Sequence, residues 1–257
     1  MTLEQVLFEI ALHSGRYSNP LSLVPSQAKV YSENGEDGIV AEIFNRIGPG
    51  ISFFIEIGCG AGVQNNTRFL LEQGWKGVWI DGGERNIALA EHSFARFIEN
   101  GALCVRHAIL TPENVDAVLN ETGAPNHFDF LSIDIDQNTG HVWKAMQCRY
   151  RAACVEYNAS LPPSVALQTS YAPERSWDGT NWFGASLKAL EMIGRRKGMS
   201  LVGCELAGVN AFFVDSSEVS DKFQAPFTAE AHYEPPRYEL VPRWGHPASA
   251  GAREWVR

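Results

Sequence analysis

The sequence predicts an α/β fold, a mostly parallel sheet that ends in an antiparallel hairpin and carries helices on both faces. Two observations predict it. Apolar runs at 52 to 57, 77 to 81, 102 to 107, 128 to 135 and 152 to 157 alternate with helix-patterned segments, and strands joined through helices pair in parallel by right-handed crossovers. The last two runs, 200 to 205 and 209 to 214, are separated only by Leu206-Ala207-Gly208. That link is too short for a crossover helix, so this pair is expected to be antiparallel.

The elements follow in order. Thr2 and Gln5 make a capping box for an amphipathic helix reaching about residue 13, and Ser18-Asn19-Pro20 with Pro25 mark the loop after it. A second helix is expected over 36 to 47, with Ile39, Val40, Ile43, Phe44 and Ile47 on one stripe and Gly48 closing it. Residues 1–50 therefore read as an N-terminal helical cap and 51–215 as the sheet domain. Arg195-Arg196-Lys197 sits where cations complement a helix C-terminus, and Gly198 ends that helix. Beyond Val214 the chain is proline-rich, with Pro226, Pro235, Pro236, Pro242 and Pro247, so 216–257 is expected to be a tail packed on the domain.

A chain of 257 residues suits one large α/β domain with decorations. Its 21 basic and 30 acidic residues give a net charge of −9 with no further basic cluster, which argues against a nucleic-acid partner. Cys59, Cys104, Cys148, Cys154 and Cys204 are odd in number, lack CxxC spacing and fall partly in apolar runs, as reduced, buried thiols do. The N-terminus has no basic region followed by a long apolar stretch, and no segment approaches membrane-spanning length. A soluble cytoplasmic protein with a small-molecule substrate and no membrane partner is expected, and a homo-oligomer is compatible with the same features.

The most informative motif is Glu56-Ile57-Gly58-Cys59-Gly60-Ala61-Gly62, directly after the apolar Phe53-Phe54-Ile55. Alternating glycines at a strand end let the backbone turn sharply and lie against a ligand, where a Cβ would occupy the space. Asn65-Asn66-Thr67 offers caps for the helix that follows. Gly77-Val78-Trp79-Ile80-Asp81 reads as the next buried strand, and Asp81, nineteen residues past Gly62, stands where a strand-tip carboxylate meets ribose hydroxyls. A nicotinamide dinucleotide is disfavoured, since no GxGxxG brings a pyrophosphate onto the helix N-terminus.

At these residues the chain resembles the class I S-adenosylmethionine-dependent methyltransferases, whose first motif is an acid followed by GxGxG and whose second is an acid ending strand two. More narrowly it is similar to the FkbM-like branch and related bacterial proteins. That likeness rests on 31 to 39 (YSENGEDGI), Asn65-Asn66-Thr67, 74 to 82 (GWKGVWIDG) and 131 to 136 (LSIDID), and it spans roughly residues 31 to 215. The resemblance implies a Rossmann-like methyltransferase sheet over 51–215 that binds S-adenosyl-L-methionine. Glu56, Gly58, Cys59, Gly60, Gly62, Asn66, Asp81, Gly82 and Asp134 would surround the cofactor, and His107, closing the third strand, would approach the adenine edge. Cys59 is read as chosen for small size.

Further carboxylates gather at later strand ends. Asp134 and Asp136 are two residues apart after the fourth run, and Glu156 and Asn158 are spaced alike after the fifth, so neighbouring tips would bring them together. Oxygen ligands without thiolates suit Mg²⁺ or another hard divalent ion. By resemblance to metal-dependent O-methyltransferases, Asp134, Glu156 and Asn158 would be the ligands, leaving Asp136 or His141 as base, although Tyr157 separates a pair that those enzymes usually place consecutively. The other reading is that these groups hydrogen-bond the substrate or the methionine part of the cofactor. His141 reads equally as a polar cap on its helix. Glu36 and Asp37 either approach the site from the cap or satisfy a helix dipole.

The stretch from 158 to 184 is long, aromatic and proline-bearing, as lids and binding loops are. Tyr171, Trp177 and Trp182 are the candidate substrate wall, suited to a sugar face or planar ring. The expected activity is methyl transfer to an oxygen of a sugar or small natural product. Internal cyclisation of the cofactor releasing methylthioadenosine, and a non-catalytic cofactor-binding module, are the alternatives.

Overall fold

The computed structural model describes residues 3–174 and 177–238. Thr2, Pro242 and Pro247 lie outside the described residues, as does 239–257 of the expected tail. The N-terminal segment forms α1 (Leu3–Leu12), two short 3-10 turns and α2 (Glu36–Ile47). The sheet then builds from β1 (Phe53–Ile57), α3 (Arg68–Glu72), β2 (Lys76–Asp81), α4 (Glu84–Ser93), α5 (Ala95–Glu99), β3 (Leu103–His107), α6 (Val115–Glu121) and β4 (His127–Ile133). A 3-10 turn (Asp136–Asn138), α7 (Thr139–Ala145), β5 (Arg149–Glu156), α8 (Leu187–Arg196), β6 (Met199–Cys204) and β7 (Asn210–Asp215) complete it. The short helices α9 (Ser216–Val219) and α10 (Ala229–His232) follow.

The seven strands lie in the order β3-β2-β1-β4-β5-β7-β6. All neighbours are parallel except β7, which runs antiparallel to both β5 and β6. This is the mostly parallel, Rossmann-like sheet with a terminal antiparallel hairpin that the sequence predicts. The chain steps outward from β1 through β2 to β3 and then returns to place β4 on the other side of β1, so a crevice opens between the tips of β1 and β4.

Alternation along each strand divides the core. Phe54, Trp79, Phe130, Cys154 and Phe212 face one side, where Ile39, Ile43 and Phe44 of α2 and Leu70 of α3 cover them. Ile55, Ile57, Ile80, Leu131 and Phe213 face the other, under Val115 of α6, Trp143 of α7 and Leu190 of α8. The helix at 36–47 is thus a covering layer of the sheet, not a cap above it. Glu36 and Asp37 are both tied into the protein: Asp37 accepts from the amides of Val30, Tyr31 and Ser32, and Glu36 from Asn34 and from Asn210, which pairs with Glu156 at the tip of β5.

β5 begins at Arg149, three residues before the apolar run that announces it, because two arginines interrupt the apolar pattern at its start. Arg151 has a structural reason to be there. Its guanidinium donates to the carbonyls of Ile47 and Gly48 and to the carboxylates of Asp129 and Glu218, and so joins the end of α2 to β4 and α9. Asp129 is 1% exposed and also accepts from the Gly50 and Phe53 amides. After β7 the chain packs back across the hairpin: Glu234 accepts from Arg16, Tyr17 and Arg237, and its carbonyl accepts from the Tyr157 hydroxyl. No described helix is long and apolar enough to cross a membrane.

Truncating Arg151 strands a buried carboxylate. Arg151→Ala is expected to lower the unfolding free energy by about 3 kcal/mol, and a double-mutant cycle with Asp129→Ala should show positive coupling in denaturant titrations.

Candidate active site

The glycine turn after β1 divides into three roles. Gly58, at φ +85°, is pressed against β4, and a Cβ there would stand 1.7 Å from the Asp134 carbonyl oxygen. Gly62 backs onto the core, where a Cβ would meet Trp79 and Phe94 at 2.6 and 2.7 Å. Gly60, at φ +54°, has nothing within 4 Å of that position and borders the crevice.

Glu56 points to the α2 side of the sheet, one residue out of phase with Ile57, and does not line the crevice. Its carboxylate accepts from Asn65 Nδ2 at 2.9 Å, from the Asn66 and Thr67 amides at 2.8 and 3.1 Å, and from the Thr67 hydroxyl. Burial pushes its pKa up to about 7 against the pull of these donors. Asn66 is likewise turned inward, its amide donating to Ser132 Oγ. Cys59 is buried among the apolar side chains of the α2 face, and burial holds its thiol pKa well above the ordinary value. Strand alternation explains the placement of Glu56: the sequence signals the turn, but the side chain preceding Ile57 is committed to holding it.

The crevice, of about 480 Å³, lies at the C-terminal ends of β1, β2 and β4. Gly58 and Gly60 form one wall, Asp81-Gly82-Gly83 another, and Ile109 with Leu110 a third, apolar one. Asp81 is half-buried; its Oδ2 accepts from the Gly60 amide at 2.8 Å, and its Oδ1 from the Gly83 amide at 2.7 Å and Asn86 Nδ2 at 3.1 Å. A carboxylate offers about four acceptor sites, so capacity for a further donor remains. Asn86, Ile109 and Pro173 escaped the sequence reading. Ile109 is 63% exposed, and an apolar residue just past the third strand is the signal that marks it.

Asp134 also lines the crevice, and it belongs to a cluster. The carboxylate oxygens of Asp134, Asp136 and Glu156 lie within 4.8 Å of one another. Asp134 follows β4, Asp136 opens the 3-10 turn at φ +54°, and Glu156 ends β5 beside it. Burial raises the Asp134 pKa to about 6. Burial first and the Asp134 charge second raise that of Glu156, while Asp136 is raised by burial alone. Glu156 Oε2 is buried with no hydrogen-bond donor. Asn158 is not part of the cluster: its Nδ2 donates to the Asn181 and Phe183 carbonyls and its Oδ1 accepts from the Ser160 amide. The structure puts Asp136 where the sequence pattern puts Asn158.

The loop from 157 to 186 runs across this rim. Asn138 exchanges two hydrogen bonds with the backbone of Ala172, Gln137 donates to the Trp182 carbonyl, and Pro173 reaches the crevice. Tyr171 donates to Glu113 and lies 5.5 Å from the His141 ring. His141 has its Nε2 2.8 Å from the Thr169 carbonyl, so it braces this loop and does not line the crevice. Trp177 and Trp182 are 54% and 40% exposed on the outer part of the loop. His107 stands outside the crevice, its Nε2 3.0 Å from the Gly82 carbonyl.

No protein-family model and no curated protein matches the chain. Solved structures align with it at low identity. A S-adenosylmethionine-dependent methyltransferase from Clostridium acetobutylicum is 11% identical with a TM-score of 0.44, the alignment covering 71% of this chain and 92% of that one. The N-terminal domain of EvdMO1, determined in the presence of SAH and D-fucose, is 13% identical with a TM-score of 0.45, covering 84% and 97%. A TehB-like SAM-dependent methyltransferase from Corynebacterium glutamicum is 14% identical with a TM-score of 0.40, covering 68% and 86%.

Asp134 holds its proton more tightly in the folded chain than its ordinary value of 3.8 allows, so the stability it contributes is full below that value and is lost as pH rises through about 6. Asp134→Asn is expected to flatten that part of the stability-against-pH curve when unfolding is followed with a chelator present.

Proposed function

We propose that the chain is an S-adenosylmethionine-dependent methyltransferase acting on an oxygen of a sugar or small natural product, with a divalent cation held at its acid cluster. The observation that carries this reading is the continuity of one crevice from Asp81 to Asp134 and Asp136. A nucleoside site and an acidic reaction centre share its walls. Asp81 is placed to accept from the ribose hydroxyls, Gly60 lets the backbone approach them, and Ile109 and Leu110 provide the apolar wall a purine requires. The stretches 31 to 39 and 131 to 136 support assignment to the FkbM-like branch.

S-adenosylmethionine, when bound, supplies an electrophilic methyl group on a sulfonium. The chain's own task is to hold an acceptor hydroxyl in line with it and take its proton. Asp136 is the residue assigned to that proton: it is half-buried and lines the crevice, and the cation is assigned to its neighbours Asp134 and Glu156. His141, committed to the Thr169 carbonyl, is a positioning residue for the loop. The metal's fit rests on the donor set. Three clustered carboxylates with no thiolate or imidazole suit a hard cation, and the donorless Glu156 Oε2 gains a partner when one binds. Trp177 and Trp182, exposed on the outer part of the loop, suit the apolar face of a sugar.

Calorimetry with S-adenosylmethionine should show one site per chain, and Asp81→Ala is expected to weaken it roughly ten- to hundredfold, the loss of charge-assisted hydrogen bonds to the diol. Turnover should yield S-adenosylhomocysteine; methylthioadenosine in its place would point to internal displacement, and a crevice that ignores the compound ends the proposal. For the cation, Mn²⁺ binding followed by electron paramagnetic resonance should be lost in Glu156→Gln, while affinity for the sulfonium nucleoside stays within a few-fold.

A further inference from the structure

A second cavity, of about 660 Å³, opens at the opposite pole of the sheet, where β5 and β6 begin and β7 ends. It is separated from the crevice by the length of β5, eight residues or roughly 25 Å at strand spacing. Lys144 from the end of α7, Arg149 from the start of β5 and Arg196 from the end of α8 all border it.

These three cations share an unusual property. Most lysine and arginine side chains among the described residues pair with a carboxylate or donate to a carbonyl; the side chains of Lys76, Arg85, Lys144, Arg149, Arg196 and Lys222 make no hydrogen bond or ion pair. Half of that set converges on one cavity in a chain whose net charge is −9. Helix C-termini explain a cation at Lys144 and at Arg196 taken singly. They do not explain Arg149, which is in a strand; the acid on the adjoining wall, Asp116, accepts from the Gln147 amide and makes no ion pair with it. The one carboxylate on the cavity, Asp215, already accepts from the amide and hydroxyl of Ser217. Lys197, beside them, is occupied by the Met146 carbonyl.

The floor between them is formed by the buried Met146, Tyr150, Ile193 and Met199, which expose only a small apolar area to the cavity. Across Gln147, Cys148 and Arg149 the cavity continues into a neighbouring one of about 500 Å³. Two guanidinium forks and an ammonium around a concave space match the oxygens of linked phosphates, and the apolar floor suits an organic body attached to them. The charge is local, so an extended polyanion such as nucleic acid finds no continuing track.

We propose that this cavity is a binding site for a small molecule bearing a diphosphate, separate from the methyl-transfer crevice and independent of that reading. The test is calorimetric titration of the full chain, at physiological ionic strength, with inorganic pyrophosphate and with adenosine diphosphate as probes. Saturable binding of at least one is expected, weakened about tenfold or more in the Arg149→Ala, Arg196→Ala double variant and in Lys144→Glu, with S-adenosylmethionine affinity unchanged. Both variants alter exposed side chains, and a melting curve like the parent's will show them folded. Equal binding of the two probes assigns recognition to the diphosphate alone; tighter binding of the nucleotide adds the apolar floor. No saturable heat from either probe overturns the proposal, as does loss of probe binding in Asp81→Ala with retention in the double variant, which would place the probes in the crevice.

Discussion

The position of the crevice depends on one buried carboxylate. Glu56 holds the segment after the glycine turn by accepting from three successive residues, Asn65 to Thr67, and Thr67 in turn receives the indole N–H of Trp79 at 2.7 Å. β1, the start of α3 and β2 are thereby fixed to each other through a single side chain. Its desolvation is costly, as the raised pKa shows, and only a full set of donors makes the arrangement tenable. With that loop fixed, Gly60 meets Asp81, and Gly58 is pressed against the Asp134 carbonyl, which closes the floor between β1 and β4.

A second constraint acts at the rim. Three carboxylates drawn within 4.8 Å repel one another, and the fold holds them there through rigid parts: the register of β4 against β5, and a 3-10 turn whose first residue sits in the left-handed region without being glycine. Such a turn is conformationally expensive and persists because its surroundings over-determine it. Burial and mutual repulsion push the Asp134 and Glu156 carboxyls towards their protonated forms, and a cation placed among them would favour release of those protons.

Most of the architecture was legible in the sequence because its signals are periodic and local. Alternating runs announced the parallel strands, and a three-residue link announced the hairpin. The site was legible in part. Asp81, Gly60 and Asp134 border the crevice as the motif suggests, since each stands at a strand tip where direction is set by backbone alone. Glu56 turned inward because strand alternation, which the motif does not encode, sent it to the α2 face, and Asn66 and Cys59 follow the turn and loop that it holds. Asn158 and Asp136 exchanged places because the backbone after each strand leaves β geometry, so a spacing of two no longer means a shared face. Arg151 concealed the start of β5, since a charged residue in a strand reads as a break until its four partners are known.

The loop over the rim is tied to the same short turn that carries Asp136: Gln137 and Asn138 hold Trp182 and Ala172, and Thr169 donates to the Gln137 carbonyl. Ligand passage past Pro173 and the alignment of Asp136 are therefore mechanically linked. A substitution that frees Gln137 or Asn138 from the loop therefore removes support from the backbone beside Asp136 as well as from Trp182 and Ala172.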